Sequence, residues 1–153
     1  MIRRRMLALL PAALLLARCG PAEKPPAVLT LVITGAADQN PDINGAPAPI
    51  AIRIYQLTAT AKFERGDVFA LTEHEQQTLG TDNAGSQEFV ISPGESRTLK
   101  FELKPQVQAI GVVALYRDID KAQWRADAPV ATSGPSMLAL KIAKLAIALK
   151  SGP

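Results

Sequence analysis

The strongest constraint on the fold is a series of short runs whose apolar residues recur at every second position. In "SRTLKFEL" (96–103), Leu99, Phe101 and Leu103 fall on one side, and Thr98, Lys100 and Glu102 on the other. Side chains of an extended chain point alternately to opposite faces, so this pattern is that of a half-buried strand. "VLTLVIT" (28–34) places Leu29, Leu31 and Ile33 on one face, and "PIAIRIYQL" (49–57) sets Ile50, Ile52 and Ile54 against Arg53 and Tyr55. "QEFVI" (87–91) and "WRADAPV" (124–130) extend the series, and Pro129 marks the latter as an edge strand, because proline donates no ladder hydrogen bond. "QAIGVVALY" (108–116) is apolar almost throughout, as expected of a central strand. Between two of these runs, "SPGE" (92–95) has Pro93 and Gly94 at the second and third positions of a type II turn.

Two segments depart from simple alternation. In "MLALKIAKLAIALK" (137–150), Leu138, Leu140 and Ile142 alternate, as do Leu145, Ile147 and Leu149, with the phase switching near Ala143 and Lys144. Helical spacing also fits, but the all-strand context favours one strand with a bulge at the switch. "FERGDVFALTEHEQQTLG" (63–80) has early acidic residues and a terminal Gly80, and is expected to form one or two short helices. Seven short strands with one helical insert argue for a mainly β, two-layer sandwich.

The N-terminus follows other rules. Three arginines precede an apolar run from Met6 to Ala17, far short of the roughly 20 residues that span a bilayer, so the segment reads as a secretory signal peptide. Leu16, Ala17, Arg18 and Cys19 sit like a bacterial lipobox, although Arg18 occupies a position normally held by a small residue. The expected organisation is a signal peptide at 1–18, a lipidated Cys19 with a proline-rich tether through 27, and a β-sandwich over 28–153. Gly20, rather than aspartate, after the cysteine favours the outer membrane. The whole chain has 17 Lys+Arg against 14 Asp+Glu; four of those arginines lie in the leader, so the mature chain carries a net −1. The apparent basicity therefore belongs to export, and nucleic acid is not an expected partner.

Chemistry-bearing clusters are sparse. His74 is the only histidine, so a His-based metal site would need carboxylates to complete it, and a solvated residue in the helical insert is expected instead. "RDID" (117–120) follows a strand and reads as a turn with exposed acids. "NPDING" (40–45) starts like a calcium loop, but its twelfth position would be Ala51 rather than a bidentate glutamate. No nucleophile motif or phosphate-binding glycine loop is present, so neither an enzyme nor a cofactor or metal protein is expected.

Taken in order, "NPDINGAPAPIAIRIYQL", "FERGDVFALTE", "SPGESRTLKFEL" and "IGVVALYRDIDKAQWRA" resemble the type VI secretion lipoprotein family, TssJ (VasD or SciN). The resemblance runs from about Val28 to Val130. It implies a transthyretin-like β-sandwich with an added helical portion, anchored by lipid at Cys19 on the periplasmic face of the outer membrane. The implied partner is the periplasmic domain of TssM, with TssL completing the complex. It also implies that the loop between the first two strands, Gly35 to Pro49, carries the TssM contact through Asp38, Gln39, Asn40, Pro41, Asp42, Ile43, Asn44 and Gly45. The loop suits docking: its prolines limit the entropy lost on binding, Ile43 is its one large apolar residue, and Asp38, Asn40, Asp42 and Asn44 offer directional hydrogen bonds. The alternative is a periplasmic sandwich that binds a small ligand or carbohydrate.

Overall fold

A computed structural model describes residues 20–152; the signal-peptide segment and Cys19 lie outside the described residues. Eight strands form two four-stranded sheets. Sheet A has the order β4-β1-β7-β8, from Ser96–Glu102, Ala27–Gly35, Gly134–Ile142 and Ile147–Ser151. Sheet B has the order β3-β2-β5-β6, from Asn83–Ile91, Ile50–Leu57, Ala109–Ala114 and Arg125–Pro129. All ladders are antiparallel except β1 with β7, which run parallel in the centre of sheet A.

The period-two pattern explains the layering. Leu29, Leu31 and Ile33 of β1 are fully buried, as are Leu138, Leu140 and Ile142 beside them on β7. They meet Ile50, Ile52, Ile54, Ile110 and Val112 from sheet B in one core. Burying each such side chain stabilises the fold by about 1.5–3 kcal/mol. Gly94, at φ 74°, accepts the left-handed third position of the 92–95 turn, whose closing hydrogen bond runs from the Glu95 N–H to the Ser92 carbonyl at 3.1 Å. Pro129 lies on β6, an edge strand.

The continuous apolar run of β5 has a specific cause: both of its faces are covered. Ile110, Val112 and Ala114 face the sandwich core, and Ala109 and Val113 face a second core under helices. Three helices build that second core, α1 (Ala61–Arg65), α2 (Val68–Glu73) and α3 (Glu75–Leu79), where one or two were expected. Each contributes one fully buried side chain, Phe63, Leu71 and Leu79 respectively, against Tyr55, Leu57 and Val113. Tyr55 thus sits on the face opposite Ile54, as its phase requires, but this face is covered. Helices of five or six residues have little stability alone. Sheet B holds the first two by their backbone carbonyls, Tyr55 donating to Leu71 at 2.9 Å, Arg53 to Thr72 at 2.8 Å and Arg125 to Phe63 at 2.9 Å, and the third through Glu75, which accepts from the Ser86 hydroxyl at 2.7 Å.

The C-terminal segment corrects the expectation of one bulged strand. Residues 137–150 belong to two antiparallel strands, β7 and β8, pairing Ile142 with Ile147 and Leu140 with Leu149. The phase switch at Ala143 and Lys144 is a chain reversal, closed by the Ala143 N–H on the Ala146 carbonyl at 2.8 Å. A bulge and a reversal shift the alternation in the same way. "AKLA" also lacks the Gly, Asn or Pro that marks most turns. Its conformation is supported from outside: the Tyr116 hydroxyl, 2.8 Å from both the Ala143 and Ala146 carbonyls, donates its one proton between them. Strand β3 likewise begins at Asn83, before the apolar run that signalled it.

Candidate functional site

Four connections converge at one end of the sandwich: the β1–β2 loop, the 92–95 turn, the β5–β6 loop and the 143–146 turn. The described chain enters β1 at the opposite end. The β1–β2 loop is fastened before it projects. The Ala36 N–H donates to Ile142 O at 2.8 Å and the Asn40 N–H to Lys144 O at 3.1 Å. Gln39 and Asn40 are the two buried polar residues among the described residues, at 0% and 2% exposure. Gln39 Nε2 donates to Ile91 O at 2.8 Å, across the top of sheet B. Asn40 Nδ2 donates to Pro49 O at 2.8 Å, while its Oδ1 accepts from the Arg117 N–H at 2.8 Å. Asn40 adopts φ 45°, a left-handed conformation that asparagine tolerates better than most residues.

Beyond this root the loop makes a tight, self-bonded tip. Asp42 Oδ1 accepts from the N–H groups of Asn44 at 2.8 Å and Ala46 at 2.9 Å. The Asp42 N–H donates to Ala46 O at 2.8 Å, and the Gly45 N–H to Asp42 O at 2.9 Å. Gly45 has φ 82°, so the tip needs a residue without Cβ there. These bonds engage the backbone and leave the Ile43 side chain fully exposed, at 100%. An isoleucine held entirely in water by an ordered turn gains nothing from folding by itself.

The structure therefore divides the eight loop residues singled out from the sequence. Asp38, Ile43, Asn44 and Gly45 are exposed, and Pro41 and Asp42 are half-buried. Gln39 and Asn40 turn inward, and the Asn40 carboxamide, read from sequence as a group available to a partner, is occupied within the chain. The sequence reading missed three neighbours. Arg117, Asp118 and Leu145 line an open groove of about 560 Å³ together with Pro41, Asp42 and Ile43. "RDID" does form a turn, but only Arg117 and Asp120 are exposed: Asp118 is half-buried, in a 3.1 Å ion pair with Lys121, and Ile119 packs against the core. Only the pairing of sheets brings it beside the loop.

Electrostatics at this end are modest. Burial pushes the Tyr116 phenol up to about 12, against a smaller opposing effect of its hydrogen bond to Ala146. At the 92–95 turn, the Ser92 N–H bonded to Glu95 lowers that carboxyl, with Arg97 helping. His74 is exposed on the helical insert, far along the chain from the loop, with its ring edge-on to Phe69 at 5.0 Å. Among the described residues no group of three or more His, Cys, Asp or Glu side chains could hold a metal ion. The arrangement offers an apolar knob beside an open groove lined by both polar and apolar side chains.

Comparison with known proteins agrees with this architecture. The chain is 36% identical to the type VI secretion lipoprotein TssJ1 from Pseudomonas aeruginosa, superposing with a TM-score of 0.81 over 84% of this chain and 98% of that one. Lip from Serratia marcescens, a membrane-bound component of the type VI secretion system, shares the fold at 23% identity and a TM-score of 0.76, over 84% of this chain and 99% of that one. A chain from a type VI membrane complex also shares it, at 24% identity and a TM-score of 0.69, over 82% and 98% of the two chains. No curated protein sequence matches this chain significantly. The profile of the type VI secretion lipoproteins VasD, EvfM and TssJ matches residues 27–150. With the sandwich, the helical insert and the ordered loop in place, the chain belongs to the type VI secretion lipoprotein family.

Proposed function

We propose that this lipoprotein is the docking subunit that ties the type VI membrane complex to the outer membrane. In this reading Cys19 carries the lipid, residues 1–18 are removed on export, and the tip of the β1–β2 loop grips the periplasmic domain of TssM. TssL is reached through TssM. The observation that carries the reading is Ile43, wholly exposed on a tip whose backbone is already hydrogen-bonded. An ordered tip loses little entropy on docking, and one buried isoleucine supplies about 1.5–3 kcal/mol. The neighbouring groove, with Arg117 and Asp118 beside it, gives room for a partner side chain next to that anchor.

The experiment is a calorimetric titration of the periplasmic domain of TssM with the wild-type chain and Ile43→Asp. Roughly tenfold or greater loss of affinity with an unchanged melting temperature is expected. Equal affinities would refute the docking role of the tip. A deletion of 38–45 is a poor substitute, because it removes Gln39 and Asn40 and with them the attachment of the loop. The anchoring half of the reading is checked by intact-mass analysis of membrane-extracted protein, which should find the mature chain starting at an acylated Cys19.

A further inference from the structure

The two sheets have unlike outer faces. Helices α1–α3 cover much of that of sheet B, leaving Glu88 and Val90 open on its β3 edge, while no described element covers that of sheet A. The outward positions of sheet A follow from the register. Thr30 lies between Lys100 and Met137, Val32 between Thr98 and Ala139, and Thr34 between Ser96 and Lys141, with Lys150 and Ala148 beyond Ala139 and Lys141. Lys100, Lys141 and Lys150 are exposed, and none makes an ion pair among the described residues. Glu102 is the only acidic residue on this face. Between the lysines lies a largely apolar floor: Met137, 45% exposed, the half-buried Thr30 and Val32, and a shallow hollow of about 300 Å³ lined by Ala139, Lys141, Ala148, Lys150 and Ser151. The helical insert has the opposite sign, with five acidic residues against two basic ones over residues 61–82. A domain with nearly balanced charge is thus polarised, positive on its bare sheet and negative on its helices.

We propose that the bare face of sheet A is a contact surface for anionic phospholipid. Two observations select this occupant. Charge complementarity is the first: lysines around a flat apolar floor suit a layer of phosphate headgroups, and each lysine near an anionic surface contributes about 1 kcal/mol. The second is where the exposed N-terminal segment leads, beyond its one backbone tie from the Gly134 N–H to Pro25 O at 3.3 Å. Residues 20–26 run exposed from Ala27, the first residue of β1 in sheet A, and seven residues reach at most about 25 Å. A lipid at Cys19 therefore keeps this sheet within one domain diameter of the bilayer. The face lies along the side of the sandwich and the Ile43 tip at its end, so both can be engaged together. The inference rests on the anchoring half of the proposed function and is independent of the docking half.

The test uses the acylated protein in vesicles, with a fluorophore on Thr98→Cys of sheet A or on Gln76→Cys of α3, and a nitroxide quencher on the lipid headgroups. Flotation with purely zwitterionic vesicles reports the anchor alone. If vesicles containing phosphatidylglycerol are used at low salt, the two net charges favour the sheet-down orientation by roughly 30-fold. The Thr98 probe is then quenched strongly and the Gln76 probe weakly. Raised salt, or the K100Q/K141Q/K150Q variant, abolishes the difference while the melting temperature is kept, because all three side chains are exposed. Equal quenching of the two probes, or quenching indifferent to phosphatidylglycerol, overturns the proposal. So does a Thr98 probe shielded without headgroup quenching, which would mean that a protein covers the face. Failure to float with zwitterionic vesicles would instead count against the acyl anchor, and lysine-dependent flotation with anionic vesicles alone would still support the face.

Discussion

The carboxamide of Asn40 joins two loops that are far apart in sequence: its Oδ1 accepts the backbone N–H of Arg117 at 2.8 Å while its Nδ2 reaches Pro49 O at the same distance. One buried side chain thus sets the spacing between the β1–β2 tip and the wall of its groove. Asn40→Ala leaves both backbone groups without this partner and removes a residue suited to φ 45°. A loss of roughly 1–3 kcal/mol is expected by denaturant titration. Binding to TssM should weaken as well, through a loosened tip. Stability equal to wild type would show that the bridge is dispensable.

The same end depends on Tyr116. Its hydroxyl serves the two carbonyls of the 143–146 turn, which has no turn-forming residue of its own. Tyr116→Phe keeps the buried ring and deletes only the donor, so a cost of about 1–2 kcal/mol is expected. Hydrogen exchange should quicken first at the turn and in β8. Uniform exchange along the chain would argue against a local role.

Gly111 of β5 lies directly against the Phe63 ring of α1. A Cβ there would lie 2.7 Å from the Phe63 ring and 2.9 Å from Leu57 Cδ1. Gly111→Ala should destabilise by about 1–3 kcal/mol through overpacking. Phe63→Leu in the same chain should recover part of that loss, since the contact is with the far edge of the ring. Strict additivity of the two changes in a double-mutant cycle would refute the contact as the cause.

The chain has only two tyrosines, Tyr55 and Tyr116, and burial pushes both phenols up to about 12. In the unfolded chain they ionise near 10. A raised folded value favours the neutral form, so its stabilising effect is complete below pH 10 and is lost as pH rises toward 12. The phenolate absorbance of the native protein should therefore lag that of the denatured protein by up to about two pH units, with the melting temperature falling through the same range. Coincident titration curves would contradict the burial of both rings.

The strands with clean alternation were legible, because burial on one face and solvent on the other imposes period two directly. Leu29, Leu31 and Ile33, or Ile50, Ile52 and Ile54, leave no other arrangement once a second sheet is supplied. The β7–β8 reversal was not legible, since what defines it is Tyr116, contributed from more than twenty residues upstream. The tip was legible in part. Asp42 and Gly45 are a local turn signature, and Ile43 stood out as the lone apolar residue between them. The inward turn of Gln39 and Asn40 was hidden, because polar residues in a loop read alike whether they face water or backbone. Arg117, Asp118 and Leu145 join the groove only through the pairing of distant strands, which no local pattern encodes.

Strand β1 is held on both sides, by β4 along one edge and by the parallel β7 along the other. The segment leading back to Cys19 leaves from its first residue and the loop of Ile43 from its last. A pull between those two points runs lengthwise down a single rod clamped in the middle of a sheet. The covalent backbone of one already extended strand carries that pull, and neither ladder is opened bond after bond like a zipper. With its N-terminal end held and its loop end gripped, this strand would be a short, stiff tie bar between the two.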